Sequence, residues 1–282
     1  MKLKEVLQKT TQFFQEKGFS TPRLDAEILL CHGLGLRRID LYLKFDQPLT
    51  ELETQKCRDL VRRRSTGEPV AYILQEQGFF RRIFHVQPGV LIPRPETELL
   101  VEYVLEFILK KSEKKAVSIL DLGTGSGCIG LSLAMELPEC KVKMVDISKQ
   151  ALDVARINLQ KFELQNQVDI EECDAMSVQG FFDIIVGNPP YIDENDSRVE
   201  KYVRQFEPST ALFAEKQGLQ FLKDWSTHHI QNLNPRGLMI FEMGCDQGKI
   251  MREHFEKIGF QNVEVIKDYG GLDRFIAGVK HG

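Results

Sequence analysis

The chain has 282 residues, 42% hydrophobic and 28% charged, which is ordinary globular material with enough length for one large domain or two smaller ones. A formal net charge of −4 argues against a generic nucleic-acid glue. The six cysteines (Cys31, Cys57, Cys128, Cys140, Cys173, Cys245) show no zinc-site spacing and the six histidines offer no HxxxH face, so reduced thiols and no structural metal are expected.

At the N-terminus, "MKLKEVLQKTTQFFQEKG" meets a charge every few residues and holds no signal-peptide core. No apolar run approaches the roughly 20 residues of a membrane helix, so a cytoplasmic protein is expected. The same stretch has apolar residues at helical spacing and stops at Gly18, and "PRLDAEILLCHGLG" opens on Pro22 and stops at Gly33. Thr50 and Glu53 have capping-box spacing ahead of Leu60 and Val61, which opens a third helix. Residues 1–77 are therefore expected to form a small helical bundle. The first 90 residues carry 15 Lys and Arg against 11 Asp and Glu. Arg62, Arg63, Arg64, Arg81 and Arg82 make this part a candidate docking surface for an acidic or ribonucleoprotein-like partner, a solvated helix face being the plainer reading.

Next, "GFFRRIFHVQPGVLI" alternates and turns at Pro88-Gly89, which predicts a two-stranded hairpin joining the bundle to a second domain, a linker over 78–93. A helix in "PRPETELLVEYVLEFILKK" and a lysine-rich exposed turn, "KKSEKKA", come after it. Strands are then expected at 117–121, 142–146, 168–172, 182–186, 237–242, 263–267 and 274–279, with helices between most of them. Strand-helix alternation predicts an α/β domain over 94–282 with a parallel, doubly wound sheet. The last two strands meet across "DYGGLD", so the final one should run antiparallel.

"ILDLGTGSGCIG" puts Asp121, Gly123, Gly125 and Gly127 where the first strand of this sheet enters a helix. Glycine there permits a tight turn and close approach of a ligand to a helix N-terminus. Gly125, Gly127 and Gly130 also satisfy GxGxxG, so the loop alone does not separate a dinucleotide from another adenosine ligand. Asp146 ends the second strand, where an acid can bond ribose hydroxyls of either. Asp121 tilts the choice: a carboxylate at the mouth of the turn repels a pyrophosphate and suits an ammonium or sulfonium, which favours S-adenosylmethionine over NAD. At the third strand's end, Asp174 is placed to face an adenine edge, with Ala175 and Met176 lining the ring.

In "FDIIVGNPPYID" a buried strand runs into Gly-Asn-Pro-Pro-Tyr, which continues neither strand nor helix. Both prolines lack N–H groups and push their predecessors to extended geometry, leaving the carbonyls free to accept. A planar –NH2 group has two in-plane hydrogens and a poorly nucleophilic nitrogen. The Asn188 side-chain oxygen and the Pro189 carbonyl can take one hydrogen each and hold that nitrogen toward a methyl donor. Tyr191 offers a flat face on which a planar amide or base can stack.

With these residues assembled, the chain resembles the release factor glutamine methyltransferases over nearly its whole length. The segments "TPRLDAEILLCHGLG", "GEPVAYIL", "HVQPGVLIPRPETELLV", "DLGTGSGCIG", "GNPPYI", "FEPSTALFA" and "DYGGLDRF" stand in the family's order. The resemblance implies a Rossmann-like class I S-adenosylmethionine-dependent methyltransferase sheet, with S-adenosylhomocysteine as the cofactor's product. It implies methylation of the side-chain amide of the glutamine in the Gly-Gly-Gln loop of peptide chain release factors. It assigns Gly123, Thr124, Gly125, Ser126, Gly127, Asp146 and Ala175 to the cofactor, beside which their strand-end positions also put Asp174 and Asn188, and Asn188, Pro189, Pro190 and Tyr191 to the glutamine. Arg94 in "IPRPETE" could clamp the methionine carboxylate or the pocket rim, and Glu207 in "FEPSTAL" could shape the glutamine pocket; plain structural joining is the alternative for both. A docking role for residues 1–77 and a monomeric state without nucleic acid or membrane are expected with it. Competing readings are a DNA amino-methyltransferase acting on adenine or cytosine, methylation of another protein amide, a NAD-dependent oxidoreductase and an idle binding module.

Overall fold

The structure, a computed structural model, describes residues 1–110 and 116–282. The lysine-rich turn expected at 110–116 lies, but for its ends, outside the described residues. The chain divides into two compact units, Met1–Glu76 and Gln77–Gly282.

The first unit is helical: α1 (Leu3–Glu16), α2 (Pro22–Leu34), α3 (Arg38–Leu43), α4 (Glu51–Ser65) and α5 (Val70–Leu74). The capping box of α4 forms as expected, with the Glu53 N–H donating to the Thr50 hydroxyl oxygen at 3.2 Å and the Thr50 N–H to Glu53 at 2.8 Å. α2 runs through Gly33 and stops at Gly35, which is left-handed. Gly33 serves packing instead, since a Cβ there would meet Leu60 at 3.1 Å. Short α3 and α5 have no counterpart in the sequence reading. The arginines expected as a docking face are largely spoken for. Arg64 is half-buried, against Asp25 at 2.8 Å and over the Phe19 ring at 3.8 Å, Arg63 pairs with Glu68, Arg62 with Asp59, and in the second unit Arg82 pairs with Glu136.

The second unit opens on a hairpin, β1 (Glu76–Phe79) and β2 (Arg82–His85). Its turn is Phe80-Arg81, both at positive φ, and not Pro88-Gly89, which forms a separate loop further on. Two non-glycine residues in the left-handed region carry no sequence signature. The hairpin is part of the second unit rather than a free linker: Phe84 packs edge-on to Phe162 at 4.9 Å, and the Asn158 side chain accepts from the His85 N–H at 2.7 Å.

After α6 (Glu98–Lys110) come β3 (Ser118–Leu122), α7 (Cys128–Glu136), β4 (Lys141–Asp146), α8 (Lys149–Lys161), β5 (Val168–Glu172) and β6 (Phe182–Gly187). Then follow α9 (Lys201–Phe206), α10 (Ser209–Leu212), α11 (Gln220–His229), β7 (Leu233–Glu242), α12 (Gly248–Lys257), β8 (Phe260–Lys267) and β9 (Asp273–Lys280). The seven-stranded sheet has the order β5-β4-β3-β6-β7-β9-β8. β9 runs antiparallel to β7 and β8 and the other pairings are parallel, as the turn at "DYGGLD" foretold. Alternate strand residues feed two cores: Ile119, Ile184 and Val186 on one face, Leu120, Leu122 and Ile185 on the other. Strand order reverses at β3, whose neighbours are β4 and β6, so the crevice lies beyond the carboxyl ends of these strands.

Candidate functional site

Leaving β3, the chain turns through Gly123, Gly125 and Gly127, all at positive φ (64°, 58° and 82°). The left-handed region is strained for other residues, so this path needs glycine. At Gly123 space demands it too, because a Cβ would lie 3.0 Å from the Trp225 ring. The loop's polar groups are taken up internally. The Thr124 N–H donates to the Val145 carbonyl (3.0 Å), the Gly125 N–H to Asp146 Oδ2 (2.9 Å), and Asn158 Nδ2 to the Ser126 carbonyl (2.9 Å). Asp146 also accepts from the Ser148 N–H at 2.8 Å, so each of its oxygens is aimed by a backbone donor. Burial raises its carboxyl above the usual range.

The residues that share one cavity include Gly123, Thr124, Gly125 and Ser126 of this loop, Asp146, and Asn188 with Pro190 beyond β6. The strand reversal therefore brings the glycine loop and the Asn-Pro-Pro peg to one space. The Asn188 side chain has no hydrogen-bond partner among the described residues, and neither does the Pro189 carbonyl, although Pro189 is buried. Asn188 is only half-buried, so its side-chain acceptor is open to whatever enters the cavity.

Several expected residues stand elsewhere. Asp121 is fully buried and off the cavity wall: its Oδ2 accepts from the Thr124 hydroxyl at 2.6 Å and the Gly130 N–H at 3.0 Å, while Oδ1 lacks a partner. Burial pushes this carboxyl up to about 7, so its influence on a ligand passes through the loop it braces. Asp174 accepts from the Met176 N–H at 2.8 Å, capping its own turn, and Ala175 is buried with its carbonyl 2.9 Å from His229 Nε2. Neither is on the cavity wall. Arg94 is no free clamp, for its guanidinium donates to Glu207 at 2.6 Å. Glu207, also buried, accepts from the Ile92 N–H at 3.1 Å, so the pair ties the segment before α6 to the one before α10. Tyr191 is held rather than loose: its hydroxyl donates to Glu242 Oε1 at 2.9 Å, and burial with the nearby carboxylate puts its pKa well above the ordinary tyrosine value.

Sequence reasoning missed the apolar wall. Phe221 and Trp225, four residues apart on α11, and Val90 and Leu91 line the cavity, as does Thr97. Trp225 is the chain's single tryptophan. Its i, i+4 spacing with Phe221 was visible, but only the fold shows which way that face points. Glu242 was missed as well: fully buried at the end of β7, it accepts from the Thr97 hydroxyl at 2.6 Å, and burial raises its carboxyl.

Comparison with known proteins matches residues 5–74 to a model of the PrmC N-terminal domain and residues 96–221 to the methyltransferase small domain. A release factor glutamine methyltransferase of Chlorobaculum tepidum is 40% identical over 96% of this chain and 94% of its own length. One from Salmonella typhimurium is 38% identical over 94% of each. Among solved structures, a methyltransferase from Pyrococcus furiosus aligns with a TM-score of 0.52 at 19% identity, covering 81% of this chain and 99% of that one, a likeness of fold alone.

Proposed function

The chain belongs to the release factor glutamine methyltransferases, and from that premise we propose that it transfers a methyl group from S-adenosylmethionine to the side-chain amide nitrogen of the glutamine in the Gly-Gly-Gln motif of peptide chain release factors, modulating translation termination. The observation that carries the reading is the unpartnered Asn188 side chain on the wall of the cavity that also holds Asp146 and the glycine loop. The cavity's chemistry fits the cofactor: backbone without side chains at Gly123 and Gly125, an acid with both oxygens fixed, and an apolar wall at Trp225. Residues 123–127 would hold it with Asp146 on the ribose hydroxyls. When bound, it supplies an electrophilic methyl on a positively charged sulfur.

Everything else is done by the chain. Asn188 Oδ1 and the Pro189 carbonyl each accept one hydrogen of the glutamine –NH2, which fixes the amide plane and directs the nitrogen. The nitrogen's new bond to carbon would form as that carbon's bond to sulfur breaks, with S-adenosylhomocysteine leaving as the neutral thioether; as the nitrogen gains positive charge both hydrogen bonds strengthen, a stabilisation absent from the ground state. No strong general base is needed, because the methylated nitrogen is acidic and gives its proton to water. The helical unit is proposed to dock the release factor, and the enzyme to act as a cytoplasmic monomer without nucleic acid. Methylation of DNA bases is not favoured, because relatives spanning nearly the whole chain are named for release factor glutamine.

Mass-spectrometric mapping of a release factor after reaction tests this. One added methyl on the motif's glutamine side chain is expected, and a methyl on any other residue, or none, overturns it.

A further inference from the structure

The peg is bounded by two fixed ends. Upstream, β6 is paired on both sides through Gly187, which faces Phe241 in β7. Downstream, Tyr191 is held at two points, by the last residue of β7 and by the segment that follows it. Its hydroxyl donates to Glu242 Oε1 at 2.9 Å, and its carbonyl accepts from Gln247 Nε2 at 2.9 Å. Gln247 is itself buried and fixed, donating to the Gln217 carbonyl at 3.1 Å and accepting from the Gly244 N–H at 2.8 Å. Between the two ends, residues 188–190 make no hydrogen bond among the described residues. A span with no bonds of its own takes its direction from its ends.

Burying a carboxyl group such as Glu242 is costly, and an apolar side chain opposite a phenylalanine would fill the same space more cheaply. Glu242 is nevertheless wholly buried, with one hydroxyl on each oxygen: Tyr191 after the peg, Thr97 on the cavity wall. One group thus joins the acceptor side to the segment ahead of α6, from residues far apart in sequence. We propose that Glu242 and Gln247 are positioning residues for methyl transfer, clamping Tyr191 by hydroxyl and carbonyl and so setting the direction in which Asn188 and Pro189 present their acceptors. This rests on the reading of Asn188 as the amide's acceptor.

Four variants test it, measured for kcat, for KM toward a release factor, for thermal melting, and for cofactor affinity by Trp225 fluorescence. Glu242→Gln keeps the shape but leaves one hydroxyl facing an N–H donor. Tyr191→Phe removes the clamped hydroxyl and leaves the Thr97 bond. Each should lower kcat about tenfold, with cofactor affinity within about twofold, as the loss of one charge-assisted bond would do. The double variant should fall no further than the worse single one, since both break one clamp. Gln247→Met, which leaves Glu242 in place, should lower kcat about fivefold and carries the test should Glu242→Gln fail to fold. Unchanged kcat in the single variants, or a multiplicative loss in the double, overturns the proposal even where melting temperature falls. Asn188→Ala runs beside them: if it keeps full turnover, the reading of the site fails and the proposal with it, whereas its inactivity beside fully active clamp variants overturns the clamp alone.

Discussion

The two walls of the cavity solve opposite problems. Along the glycine loop the backbone is engaged from below, with N–H groups given to Val145 and Asp146 and a carbonyl taken by Asn158. Across the cavity, residues 188–190 keep their acceptors free, and rigidity comes from two prolines and from Tyr191. A cofactor cradle can be built by saturating the backbone, because its shape does the binding. The site for an amide must leave acceptors open, because they are the binding groups, and stiffness has to be imported from neighbours.

The contrast predicts which substitutions touch chemistry and which touch binding. Asn188→Ala removes a free acceptor and should lower turnover by roughly 10²-fold or more, with cofactor affinity little changed. Steady-state kinetics beside a fluorescence titration would check this, and unchanged turnover removes Asn188 from the mechanism. On the other wall, Asp146→Ala should raise the cofactor dissociation constant, a charged hydrogen bond being worth roughly 1.5 to 3 kcal/mol, or about 10- to 100-fold. An unchanged titration curve would refute the ribose assignment.

Gly123→Ala should be milder. The left-handed turn costs a side chain about 1 to 2 kcal/mol, and the new methyl meets Trp225. A melting temperature lower by about 2 to 8 °C is expected, with weakened cofactor binding, and calorimetry measures it. Unaltered melting would mean that the loop relaxes freely.

The smallest effect concerns pH. With its carboxyl pushed up to about 7, Asp121 keeps its proton in the folded protein where the unfolded chain has lost it. The stability this contributes is full below the ordinary carboxyl range and is lost as pH rises through about 7. Asp146 and Glu242, also raised, act in the same sense. Asp121→Asn should therefore make the decline of melting temperature from about pH 4 to about pH 8 shallower. An identical slope would show that Asp121 does not titrate there.

What the sequence disclosed follows the same division. The glycine turn, Asp146 at a strand end and the Asn-Pro-Pro peg each need residue types that few other backbone paths require, so local spacing was enough to find them. The parallel direction of most strands followed from their alternation with helices, and the antiparallel last strand from the turn at "DYGGLD". Glu242 with Thr97, Arg94 with Glu207, and Trp225 over Gly123 could not be found that way, because each joins residues that only the sheet order makes neighbours. Local signals also misled where packing decided: Gly33 is inside α2 because it lies against Leu60, and the hairpin turns at Phe80-Arg81, which look like nothing special. Asp121, assigned to the ligand from its place beside the glycines, turned out to brace the loop from beneath.

The most direct measurement is transfer of labelled methyl from S-adenosylmethionine by the purified protein to a release factor with its Gly-Gly-Gln loop intact, beside the same factor with that glutamine substituted and beside duplex DNA. Label on the intact factor alone is the predicted result, fixing substrate and target atom together. Label on the substituted factor or on DNA, or on none of the three, would contradict the account.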